Sequence, residues 1–144
     1  MVRFWDASAL VPLLVEETTT SLMRERYARD EKLAVWWATE VECISAIARR
    51  SRMTALHPDA AVAGATRLAK LASTWTEIAP TQSIRETAIR LLQTHELRAA
   101  DALQLAAAFA AAEGRPSTLT FVSLDARLNE AALREGFRLA ETAP

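Results

Sequence analysis

The strongest constraint on the fold of this chain is an alternation. Short apolar runs of β-branched and aromatic residues recur along it, and segments of helical length and spacing separate them. Val2 to Trp5, Leu33 to Trp37, Trp75 to Ala79 and Leu119 to Val122 read as strands, with Phe137 to Ala140 as an edge-strand candidate. Ser8 is placed to cap a helix through Leu10, Leu13 and Leu14, with Pro12 in its first turn or so, where the missing N–H has no acceptor to lose. After the break at Thr18-Thr19-Thr20, Leu22, Met23, Arg26 and Tyr27 suggest a helix to about Asp30. Thr39 opens one from Glu40 to about Arg52 with Val41, Ile44, Ile47 and Ala48 at helical spacing, and His57-Pro58-Asp59 starts another, Ala60 to Ser73, with Leu68 and Leu71 inward. Ile84, Ala88, Leu91 and Leu92 mark a helix to about Thr94. A further helix runs from Ala99 to Glu113, stopped by Gly114 and Pro116, and Asp125 to Glu135 ends at Gly136. Strands so separated cannot pair as hairpins and need crossovers, which gives a mostly parallel sheet flanked by helices, an α/β fold.

The 144 residues suit a single domain, 1–144, large enough to bury a core without disulfides. At 51% hydrophobic and 24% charged residues, with few glycines and prolines, the composition is neither disordered nor fibrous. Net charge is −1, so no global positive field draws the chain to nucleic acid or an anionic membrane, and a polyanion must be met by a local patch. The lone Cys43 forms no internal disulfide, and no Cys/His cluster has zinc spacing. No run reaches the roughly 20 apolar residues of a membrane span, and the N-terminal apolar stretch is interrupted by Asp6, Pro12 and Glu16. The expected location is the cytoplasm, without membrane association.

Ligands of open α/β sheets bind beyond the carboxyl ends of the strands, and acids stand at such ends here. Asp6 follows Phe4-Trp5, and Asp125 follows Leu119 to Leu124, so both project toward one rim. Either can equally serve as a turn or helix-cap aspartate. Asp101 aligns with the apolar Leu105 and Ala108, an alignment that calls for a cation or donor unless Asp101 merely complements the helix dipole in a first turn. Glu42 stands three residues after Thr39, a capping-box spacing that needs no chemistry, and Glu40 is the neighbouring acid that could face a site instead.

Four ordered segments carry a resemblance over nearly the whole chain: Phe4-Trp-Asp6-Ala-Ser8-Ala-Leu, Thr39-Glu-Val-Glu42-Cys-Ile-Ser-Ala-Ile, Leu97-Arg-Ala-Ala-Asp101-Ala-Leu-Gln-Leu-Ala and Thr120-Phe-Val-Ser-Leu-Asp125-Ala-Arg-Leu. Together they resemble the PIN-domain nucleases of the VapC-type toxin group. The resemblance implies a three-layer sandwich and a metal-dependent endoribonuclease, made as the toxin of a toxin-antitoxin pair. It implies acids at Asp6, Glu42, Asp101 and Asp125, with Ser8 supporting the first and Asn129 a candidate to share the role of the fourth. It further implies an antitoxin partner and a homodimer.

Carboxylates without cysteine or histidine suit Mg²⁺ or Mn²⁺, which can activate a water for phosphodiester hydrolysis. On this reading Asp6 and Asp101 hold the principal ion, while Glu42 and Asp125 complete the cluster. Without metal the acids repel, and at least one is expected to hold a proton at neutral pH. For RNA, Arg49, Arg50 and Arg52 at one helix end and Arg24, Arg26 and Arg29 on another offer phosphate contacts, or alternatively a solvated dipole-complementing end or a surface for an acidic partner; Arg98 lies nearer an acid. Adjacent Trp36 and Trp37 point to opposite faces of a strand, so that one can serve a partner. Cys43 reads as a small buried hydrophobe, and His57 and His95 as residues of helix ends. Ser8 stands where an aspartate-dependent phosphatase would carry a second acid, and the only lysines, Lys32 and Lys70, leave a receiver-like regulator unsupported. The remaining alternative is an inactive PIN-like RNA-binding or protein-interaction module.

Overall fold

A computed structural model describes residues 2–29, 32–53 and 56–140. Its elements are β1 (Arg3–Trp5), α1 (Ala7–Leu14), α2 (Thr20–Arg29), β2 (Leu33–Trp36), α3 (Thr39–Met53), α4 (Pro58–Ala72), β3 (Thr76–Ile78), α5 (Gln82–Thr94), α6 (Ala99–Ala111), β4 (Thr120–Val122), α7 (Ala126–Arg134) and β5 (Arg138–Leu139). The five strands form one sheet in the order β3-β2-β1-β4-β5, every pairing parallel. The edge strand expected near residues 137–140 is β5, and Asp30, the expected end of the second helix, lies outside the described residues.

Strand periodicity divides the core. Successive strand side chains face opposite ways, so Phe4, Ala34, Trp36 and Phe121 join a cluster under α5, α6 and α7, whereas Trp5, Leu33, Val35 and Val122 join another under α1, α3 and α4. Phe4 and Phe121 are neighbours in register on β1 and β4 and stack with ring centroids 5.7 Å apart. Helices thus cover both faces of the sheet, the α/β sandwich expected from the alternation of elements.

Local details depart from the expectations. Asp6, not Ser8, occupies the N-cap position of α1, and Pro12 is the sixth residue of that helix rather than part of its first turn. A proline there cannot donate to the Ser8 carbonyl, and the helix ends two residues later. Its last carbonyls find other donors: Thr20 Oγ1 gives a hydrogen bond of 2.8 Å to the Pro12 carbonyl, and Arg67 Nη1 one of 2.9 Å to that of Leu14. Thr20, read as part of a break, therefore opens α2. Thr39 is likewise the first residue of α3 rather than its cap, and the expected capping box is replaced by contacts to α6 described below. Trp36 is buried, while Trp37, just past the strand, is 54% exposed.

Gly64 on α4 marks where that helix crosses the end of α1. A Cβ at this position would stand 3.1 Å from Val15 Cγ1, 3.2 Å from the Leu14 carbonyl oxygen and 3.3 Å from Ile47 Cδ1. Gly64→Val should therefore destabilise the fold by about 2 kcal/mol, the typical cost of overpacking a close contact. Urea titration checks this, with a lower midpoint and an unchanged slope expected.

Candidate active site

The strand order reverses between β1 and β4, since β1 leads to β2 on one side while β4 lies on the other. That is the position at which open sheets leave a crevice beyond their carboxyl ends. Trp5 pairs with Val122 at the end of both strands, so Asp6 and Ser123 emerge side by side, and the Asp6 N–H donates to the Val122 carbonyl at 3.1 Å. Ser8 ties the two strand ends together. Its Oγ donates to Asp6 Oδ1 at 2.7 Å, accepts from the Leu124 N–H at 2.9 Å and lies 3.2 Å from Ser123 Oγ. Ser123 Oγ in turn accepts from the Asp125 N–H at 3.0 Å. Asp125 caps α7, its Oδ1 accepting from the Leu128 N–H, and Asn129 Nδ2 donates to the Ser123 carbonyl at 2.9 Å.

Two helices bring the other acids to this edge. α3 starts just past β2 and presents Glu42; α6 presents Asp101 in its first turn. Buried Gln104, one turn after Asp101, joins them: its Nε2 donates to Thr39 Oγ1 and to Glu42 Oε1, both at 3.0 Å, while its Oε1 is buried without a hydrogen-bond partner. The four predicted acids therefore sense one another. Asp6 feels the charges of Asp125 and Glu42, Glu42 feels Asp101, and Asp101 feels Asp125. Glu40, the competing glutamate, is exposed and lines a separate surface cleft with Trp37, Val41, Ile44 and Glu77.

Proton binding at this edge is strengthened, as the gathering of acids predicts, but chiefly for a different reason. Asp6 is 5% exposed, and burial pushes its carboxyl up to about 7 against the opposing hydrogen bonds of Ser8 and Ser123, with the neighbouring acids adding less. Burial also raises Glu42 to about 7, opposed by the Gln104 hydrogen bond and helped by the Asp101 charge. Asp101 is raised by burial and by Asp125, while the Arg98 backbone hydrogen bond and the charges of Arg98 and Arg127 work in the other direction. Asp101 thus combines the first-turn position foreseen for a helix-dipole acid with an inward environment.

Among the described residues no group of three His, Cys, Asp or Glu side chains stands close enough to hold a metal ion as placed. The chemistry of the donor set nevertheless fits a hard divalent cation: a buried carboxylate held by hydroxyls with further acids about it, and oxygen donors only. Cys43 is no competing ligand, because burial pushes its thiol up to about 12. The histidines lie elsewhere, His57 capping α4 and His95 at the end of α5 against Glu135 Oε2 at 2.6 Å.

The arginines named from the sequence lie mostly away from this edge. α3 carries them away from Glu42, eight residues or about 12 Å along the helix axis to Arg50, and Arg50 forms an ion pair with Glu17 past the far end of α1. Arg24 meets Glu16 at 3.7 Å, Arg29 meets Glu25 at 2.8 Å, and Arg26 is buried. Arg98 alone of the named arginines acts on one of the four site acids, Asp101; Arg127, Gln104 and Ser123 are contributors not evident from the sequence.

A model of the PIN domain family matches residues 3–133. The chain belongs to the PIN-domain family. Solved structures share the fold. A Pyrobaculum aerophilum protein is 24% identical with TM-score 0.69, covering 99% of this chain and 94% of its own. A Klebsiella pneumoniae toxin-antitoxin complex is 17% identical with TM-score 0.67 over 98% of both chains. A Mycobacterium tuberculosis VapC toxin, described as cleaving the sarcin-ricin loop, is 17% identical with TM-score 0.67 over 91% of this chain and 95% of its own. A search of curated proteins gives no significant match. Among the described residues of this PIN-domain protein, no helix is long and apolar enough to cross a membrane.

The raised acids give the PIN domain a pH-dependent stability of defined sign. An unfolded aspartate loses its proton near 3.8, whereas folded Asp6 holds it to about 7. The folded state therefore binds more protons between those values, and stability falls as pH rises through them, reaching its full penalty above about 7. Asp6→Asn keeps the acceptor for Ser8 and removes the buried charge. We expect it to raise Tm at pH 8 by about 5 °C, with little change near pH 4; thermal melts at the two pH values check this, and equal shifts would contradict it.

Proposed function

We propose that this PIN-domain protein is a metal-dependent endoribonuclease of the VapC type, hydrolysing RNA phosphodiester bonds with a water nucleophile. The observation that carries the reading is the Asp6 carboxylate, buried at the topological switch point, held by serine hydroxyls and electrostatically coupled to Glu42 and Asp125. Such a group is costly to keep ionised and gains most from a cation. Asp6 and Asp101 would hold Mg²⁺ or Mn²⁺, with Glu42 and Asp125 completing the donor set directly or through water.

A bound divalent ion supplies charge neutralisation at the phosphoryl oxygens and a water made acidic enough to attack at neutral pH. The protein's own groups do the rest. Ser8 fixes the rotation of Asp6, since its Oγ is locked between that carboxylate and the Leu124 N–H. Gln104 fixes Glu42 in the same manner. Asp125 is oriented by its cap hydrogen bond and by Ser123, and no side chain becomes covalently attached to the substrate.

We also propose the toxin-antitoxin context. Proteins of this fold include one solved as a toxin-antitoxin complex, and the exposed stripe of Trp37, Val41 and Ile44 is an apolar surface that a cognate antitoxin or the second subunit of a homodimer can cover. The alternative of an inactive PIN-like module finds no support in a site that retains all four acids.

Cleavage of end-labelled RNA should require Mg²⁺ or Mn²⁺ and stop with EDTA. Asp6→Asn and Asp101→Asn should each lower the rate about 1,000-fold or more, the scale of losing a principal electrostatic contributor, with circular dichroism unchanged; wild-type cleavage by either variant removes the metal assignment. Millimolar Mg²⁺ should raise Tm of the wild type through preferential binding to the folded state and leave Asp6→Asn unmoved. Absence of any wild-type shift would count against the site.

A further inference from the structure

We propose that Arg127 and Arg98 form a phosphate-gripping pair that brackets the acid edge, with Arg127 leading the RNA strand into the polar cleft between α7 and the α5–α6 connection. The inference rests on the endoribonuclease reading and specifies how its substrate is held.

Four carboxylates repel a polyanion, and one divalent ion offsets only half of their full charge. Further cations must stand at the same edge, yet the basic ends of α2 and α3 lie elsewhere and carry acidic partners at Glu16, Glu17 and Glu25. Arg98 precedes α6 and Arg127 lies in the first turn of α7, so their charges reach Asp101 from two different helices. Both are exposed, and neither forms an ion pair with a described residue. Among the described residues they are the cations acting on Asp101, and no ion pair engages them.

Beyond Arg127 the surface opens into a cleft of about 260 Å³ lined by Thr94, His95, Glu96, Arg127, Glu130 and Arg134, with Ala131 at its base. Its other charges are largely accounted for. Glu130 pairs with Arg134 at 2.9 Å, and His95 with Glu135 at 2.6 Å. Glu96 remains as an acid of the wall, which favours ribose hydroxyls over a second phosphate deep in the cleft. Arg127 thus stands at the junction of acid edge and cleft, where a phosphate next to the scissile one would pass. Its planar guanidinium suits bidentate binding of phosphate oxygens.

The test uses Asp6→Asn protein without added metal, so that the RNA stays intact, and reads binding of a fluorescein-labelled single-stranded RNA by polarisation across a salt series. Adding Arg127→Ala should raise Kd about tenfold and lower the slope of log K against log salt by about 0.7, the value of one single-strand phosphate contact. Arg98→Ala should do the same, the two should add in the slope, and Arg127→Lys should recover most of the affinity and all of the slope. Arg29→Ala, at the far end of α2, should change neither. An unchanged Kd and slope for Arg127→Ala overturns the proposal, as does a weaker Kd with an unchanged slope, which would mean that the arginine acts only by holding Asp101. RNA cleavage by the wild type alongside such a failure leaves the nuclease reading intact. Arginine-dependent binding without any wild-type cleavage supports the grip and overturns the nuclease.

Discussion

The candidate site depends on one carboxylate kept where water is scarce. Asp6 sits at the joint between two parallel strands, and hydroxyls rather than cations surround it. Hydrogen bonds from Ser8 and Ser123 lower the cost of its charge without cancelling it. A permanent arginine there would have stabilised the ionised carboxylate in the folded state. The buried carboxylate costs stability at neutral pH, and the fold tolerates that cost because Phe4 and Phe121 on one side and Trp5 and Val122 on the other join apolar clusters beneath the joint.

The remaining acids reach Asp6 by different routes. Asp125 comes with the neighbouring strand, so its placement follows from pairing alone. Glu42 and Asp101 come on helices of opposite layers, and a single amide, Gln104, spans the gap between them. The two helical layers are therefore linked at this edge by polar groups, whereas their faces toward the sheet are apolar clusters.

Much of this was legible in the sequence because it rests on period and order. Alternation of strand and helix patterns dictates parallel pairing, and parallel pairing carries Asp6 and Asp125 to one rim whatever their separation along the chain. Residue pattern also separated Trp36 from Trp37. Features that depend on the far partner were not legible. The Thr39 and Glu42 spacing has the form of a capping box, and only the proximity of α6 turns both side chains toward Gln104. Pro12 reads as a first-turn residue until the helix is seen to start at Ala7. The distance of the α3 arginines from the acids was not legible, because sequence adjacency to Glu42 conceals the length of α3, which carries Arg50 to Glu17. Arg127 is not distinguished by its own sequence neighbourhood; its position matters only once α7 is set beside Asp101.

Gln104 and Asp101 share one turn of α6, and the former holds Glu42 while the latter faces Asp125. A slide or rotation of that helix would therefore shift two acids in concert and alter the grip on a third element, α3, in the same movement. The spacing of the acidic rim is accordingly set by how the alanine-rich face of α6 seats against its neighbours.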